Sequence, residues 1–121
     1  MTNSSITGNS FGSVQTDSVN HRADGVRFNP GSFGKCVTIT GNSFGAFKED
    51  PDFNAGGGIV LLSTCEKIAI VGNTFARLHG QDLPAVVSNN NCSGTIVGNV
   101  LDGLNDLRSG GGDWEETANS V

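Results

Sequence analysis

The chain has 121 residues, a net charge of -5, 18 glycines, three prolines, three cysteines and no tyrosine. A domain of this length buries roughly two thirds of its unfolded surface, enough for a core without metals or disulfides. The acidic balance excludes electrostatic capture of nucleic acid or an anionic membrane surface, and no apolar run reaches the roughly 18 residues that cross a bilayer.

The first predicted element is carried by Ile6, Gly8, Asn9 and Phe11, in the phrase Ser-Ile-Thr-Gly-Asn-Ser-Phe. The phrase returns around Ile39, Gly41, Asn42 and Phe44, again around Ile70, Gly72, Asn73 and Phe75, and a fourth time around Ile96, Gly98, Asn99 and Leu101. Its drifting spacing suits coils with loops of variable length better than helical repeats, whose lengths are tighter. The isoleucine two residues before each glycine and the aromatic or leucine three after it point inward if Gly-Asn forms a bend between two strands. Glycine accepts positive φ, and asparagine tolerates the left-handed region better than most residues. Stacking of successive coils then superimposes Asn9, Asn42, Asn73 and Asn99 as a hydrogen-bonded side-chain ladder.

Between these phrases lie three polar, variable stretches, 12–24, 45–57 and 76–83, each followed by a second predicted strand at 25–29, 58–63 and 84–89. One coil therefore reads as strand, short turn, strand, Gly-Asn bend, short strand and long loop. The predicted fold is an all-β parallel β-helix of about four coils over 1–107, with 108–121 a polar, glycine-rich exit or lid anchored by Trp114. Cys36, Cys65 and Cys92 fit neither a zinc ribbon nor a two-cysteine redox motif and are read as small buried side chains. The Asn91-Cys92-Ser93 triplet fits a glycosylation sequon, which carries little weight because Met1 to Ser5 has no signal-peptide character.

The four Ile-x-Gly-Asn-x-(Phe/Leu) phrases and their asparagines, spanning roughly residues 4–104, resemble the right-handed parallel β-helix superfamily that includes pectate lyases, polygalacturonases, alginate epimerases and bacteriophage tailspikes. Right-handedness follows from that resemblance and from the general handedness of parallel crossovers. Four coils are few for such enzymes, so the chain reads as a fragment of a longer member or as one protomer of an assembly that covers its ends. The resemblance implies a module that binds or processes an extracellular or surface polysaccharide. Its alternative is a non-catalytic, oligomerising segment of a phage tail or bacterial surface protein, with a trimer as the implied assembly and a virion or extracellular location.

Function is expected on the edge where the variable loops emerge. There Asp24, Glu49, Asp50, Asp52 and Asp82 are the candidate catalytic carboxylates, as acid and base on a glycosidic bond or in a lyase reaction. His21, Arg22, Lys48, Arg77 and His79 are the candidate substrate-binding residues. No cofactor or metal is predicted; calcium suits a lyase, but no calcium-loop spacing occurs.

Overall fold

The computed structural model describes residues 1–11, 25–45, 58–76, 84–102 and 106–120. These residues form three parallel sheets and no helix, consistent with a β-solenoid. The longest sheet runs β1 (Thr2–Thr7), β4 (Phe33–Thr40), β7 (Thr64–Val71), β10 (Cys92–Val97), β13 (Asp113–Thr117). A second contains β2 (Ser10–Phe11), β5 (Ser43–Phe44), β8 (Thr74–Ala76) and β11 (Val100–Asp102). The third contains β3 (Val26–Phe28), β6 (Ile59–Leu61), β9 (Val86–Ser88) and β12 (Arg108–Gly110). The chain visits the third, first and second sheets in that order, so each complete layer adds one strand to every sheet.

Register follows the repeat phrase. Ile6 pairs with Ile39, Ile39 with Ile70, Ile70 with Ile96, and Ile96 with Glu116. Period-two alternation on strands fixed in this register sends the isoleucines to one face, and Ile39, Ile70 and Ile96 are fully buried. They meet Ile59, Leu61 and Val86 from the third sheet in a single core. Phe11, Phe44 and Phe75 stack as parallel rings with centroids 4.9 and 4.8 Å apart, one strand spacing per ring.

Gly8, Gly41, Gly72 and Gly98 have φ between 62° and 67°, and a Cβ at any of them would meet nothing within 4 Å. Backbone conformation rather than space selects glycine there. At each bend the asparagine that follows donates its backbone N–H to the Oδ1 of the next asparagine, at 2.9 Å from Asn9 to Asn42, from Asn42 to Asn73 and from Asn73 to Asn99. Its Nδ2 donates to the same oxygen and, from Asn42 onward, to the carbonyl of Ile6, Ile39 or Ile70 in the preceding layer.

The residues read as a loose exit from 108 onward are instead built into the stack. β12 pairs with β9, β13 pairs with β10, and Asn119 takes a fifth place in the ladder, its Oδ1 accepting from the Asn99 backbone N–H at 3.0 Å. The sequence Glu116-Thr117-Ala118-Asn119-Ser120 is a degenerate repeat, with Glu116 at the isoleucine position and Ala118 at the glycine position with φ 54°. Main-chain pairing and the packing of Leu107 and Trp114 hold this layer although its isoleucine has been lost. Where the other layers place Ile and Val, Glu116 and Arg108 form an ion pair at 2.5 Å. Trp114, the anchor anticipated from the sequence, packs against the core.

Cys65 and Cys92 are buried register partners on β7 and β10, and all three cysteines are free thiols. Cys36 departs from the expected burial. It is only partly buried because it sits at φ 54° in a left-handed bend inside β4, a position shared by Asn3 on β1 and Lys67 on β7.

Candidate functional site

The loop residues singled out from the sequence, Asp24, Glu49, Asp50, Asp52 and Asp82 together with His21, Arg22, Lys48, Arg77 and His79, lie outside the described residues. The four asparagines of the ladder are described; Asn42, Asn73 and Asn99 are buried, with side chains spent on each other and on main-chain groups, while Asn9 stands exposed at the end of the ladder.

A different surface gathers polar side chains on rigid strands. On β7 the left-handed bend at Lys67 inserts a residue that β10 lacks, so the register shifts between Cys92 and Gly94. The result is a shallow groove of about 430 Å³ across the outer face of the long sheet, lined by Lys67, Ala69, Ser93, Thr95, Asp113 and Glu115 among others. The small side chain of Ala69 keeps its floor low. Ser93 and Thr95 on β10 supply hydroxyls, with Lys67 on the neighbouring β7 and the two carboxylates on β13 at the other side.

Asp113 and Glu115 are two residues apart on one strand, so their side chains leave the same face with Cα atoms roughly 6.6 Å apart. Both are exposed. Carboxylates at that spacing accept hydrogen bonds from neighbouring hydroxyls of a polyol, while Lys67, Ser93 and Thr95 supply donors opposite them. No protein-family profile, curated protein or solved structure matches the chain.

Among the described residues no group of three His, Cys, Asp or Glu side chains converges as metal ligands would. No helix long and apolar enough to cross a membrane occurs among them either. Sequence reasoning missed the groove for a specific reason. Asp113 and Glu115 lie in the segment read as an exit, and only recognition of Thr-Ala-Asn-Ser as a fifth, weakened repeat phrase would have put them on a strand.

Proposed function

We propose that the chain is a right-handed parallel β-helix module of about four coils that binds polysaccharide along the side of its long sheet. The observation that carries this reading is the groove in which Asp113, Glu115 and Lys67 surround the hydroxyls of Ser93 and Thr95. Strands fix all five, so little ordering is lost when an extended polymer lies against them. The excess of carboxylates selects neutral or amino sugars over polyuronates, which Asp113 and Glu115 would repel. The resemblance of the repeat phrase to pectate lyases and tailspikes supports a sugar ligand. It does not extend to a reaction at this groove.

The test is calorimetric titration of neutral, amino-sugar and uronic-acid oligosaccharides into the wild-type chain and the Asp113→Asn/Glu115→Gln double variant. Binding of a neutral or basic oligosaccharide is expected to weaken about tenfold or more in the variant. Equal binding by both proteins would remove the groove from the mechanism. A second reading, a structural segment of a phage tail or bacterial surface fibre, is favoured by β1, β2, β3, β12 and β13, each of which has a strand neighbour on one side only among the described residues.

A further inference from the structure

Two of the three thiols are stacked on each other inside the core. Cys65 on β7 and Cys92 on β10 are register partners, and both are buried. Partners on neighbouring strands have Cα atoms about 4.8 Å apart, inside the span of about 4.4–6.8 Å that a disulfide bridges. Both side chains lean into the same small space. Cys65 Sγ lies 3.2 Å from Ser63 Oγ, and Cys92 Sγ reaches back toward the layer that carries Cys65, 3.4 Å from Ser63 O and 3.6 Å from Leu61 O. The Cys65 side chain is within hydrogen-bonding reach of the Cys92 thiol, and burial together with that neighbour keeps Cys92 protonated, pushed up to about 11.

The third thiol stands apart. Thr38 pairs with Ala69, so Cys36 and Lys67, each two residues earlier and each in the left-handed bend, occupy equivalent positions, and Lys67 lines the outer groove. Cys36 is accordingly only partly buried. The column beneath the pair ends in a glycine, since Gly34 is the β4 partner of Cys65 and a Cβ there would lie 3.5 Å from Cys65 Sγ. The column therefore holds two sulfurs and no third. Little polar bonding is lost if their hydrogens leave, because a thiol is a weak donor. Asn89 Oδ1, 3.2 Å from Cys92 Sγ, also accepts from the Asn91 N–H at 3.0 Å, and Leu61 O also accepts from the Asn89 N–H at 3.2 Å.

We propose that Cys65 and Cys92 are a modification site, joined as an interlayer disulfide when the chain folds in the presence of a small-molecule disulfide of the glutathione class. The first cysteine to ionise gives its proton to solvent, and its sulfur attacks one sulfur of the reagent. The reagent S–S bond breaks, one small thiolate leaves and takes up a proton, and a mixed disulfide remains. The second cysteine, deprotonated in turn, attacks the protein sulfur of that mixed disulfide and expels the second small thiolate. Two electrons pass from the cysteine pair to the reagent, so two protein thiols and one disulfide become one protein disulfide and two small thiols. Exchange requires a thiolate and access to it, and the closed stack withholds both. The bond therefore forms as the layers assemble and is afterwards shielded from reductants. It closes residues 65–92, with β7, β8 and β9, into one ring, and it stabilises chiefly by restricting the unfolded chain. It also fastens β7 to β10 beside the register shift from which the groove departs.

The experiment is refolding of the full chain from urea in buffers that hold reduced and oxidised glutathione at a series of ratios. Remaining thiols are trapped with excess iodoacetamide in urea, so that buried ones react, and are located by mass spectrometry of the peptides. Cys36→Ser, Cys65→Ser and Cys92→Ser are refolded beside the wild type, and circular dichroism establishes strand content. At oxidising ratios only Cys36 is expected to be alkylated in the wild type, and dithiothreitol should return Cys65 and Cys92 to the alkylated set. The oxidised form of Cys36→Ser is expected to melt about 10 °C above its reduced form. Cys65→Ser and Cys92→Ser should show no such gain, and Cys36→Ser carries the test alone if neither of them folds. Three results would overturn the proposal. One is a folded wild type in which all three thiols are alkylated at every ratio. Another is a bond that takes in Cys36. The last is an oxidised chain without its strand content, which would mean that the stacked layers cannot hold the bond.

Discussion

Asn73 shows what a single side chain does in this stack. Fully buried, it donates through Nδ2 to Ile39 O at 2.9 Å and accepts through Oδ1 from the Asn42 backbone N–H at 2.9 Å, so its removal strands main-chain groups on both sides. Each buried donor or acceptor left unpaired costs about 1–3 kcal/mol. Asn73→Ala is therefore expected to lower stability by about 3 kcal/mol. Asn9→Ala, at the exposed end with one neighbour, is expected to cost about 1 kcal/mol. Urea denaturation of the two variants checks the gradient, and equal midpoints would count against the ladder as a source of stability. Cys92 makes a second prediction. Burial pushes its thiol up from 9.0 to about 11, although a hydrogen bond from the Asn89 backbone opposes the rise. The unfolded chain ionises this thiol first, so from about pH 9 to 11 it holds fewer protons than the folded chain. Stability should then fall across that window and be unaffected by this group below it. Comparing the pH dependence of melting for wild type and Cys92→Ser isolates the contribution, because the variant should lose that part of the decline.

At the scale of elements, the short strands of the second sheet carry large aromatic side chains. β5 and β8 place Phe44 and Phe75 in a stack, and the residues just before β3 and β6 are glycines against which the rings lie. A Cβ at Gly25 would come within 2.6 Å of Phe44 Cδ1, and one at Gly58 within 2.7 Å of Phe75 Cδ1. The close approach, rather than a special φ, requires glycine at these two sites. Gly58→Ala is expected to cost about 1–3 kcal/mol through overpacking, and Phe75→Ala about 3–5 kcal/mol through the void it leaves. The double variant should cost less than the sum, because the ring that clashes is the ring removed. An additive result by thermal denaturation would show that the two sites do not meet. The exposed Lys35–Glu66 pair between β4 and β7, at 3.5 Å, adds little by comparison because water screens it.

At the scale of the whole molecule, each layer is covered by the next, so a terminal layer matters through what it shields. Residues 106–120 cover Ile96 and Leu101 and supply Asn119 as the acceptor for Asn99. Deleting them exposes two large side chains worth about 1.5–3 kcal/mol each. Loss of about 4 kcal/mol is the expected outcome, read as a fall in the urea midpoint. An unchanged midpoint would mean that the last layer only rests on the stack.

The spacing of Ile, Gly, Asn and Phe made the parallel strands, the inward residues and the position of the bends legible from the chain alone. Period-two alternation and the need for positive φ are local rules that leave a direct trace in residue type. The fifth layer left a fainter trace. Main-chain pairing, Asn119 and the packing of Leu107 and Trp114 hold it, while Glu116 stands at the isoleucine position and Ala118 at the glycine position of the other layers. The groove was not legible either, because it depends on a register shift between β7 and β10 and on Gly94 lying between Lys67 and Asp113, residues 46 apart in sequence. The loop residues that the sequence offered as a site lie outside the described residues. Sequence by itself determined the repeating strand pattern, because conformational preference and burial act residue by residue. Only the tertiary structure decided which polar side chains face one another, because that depends on register between strands distant along the chain.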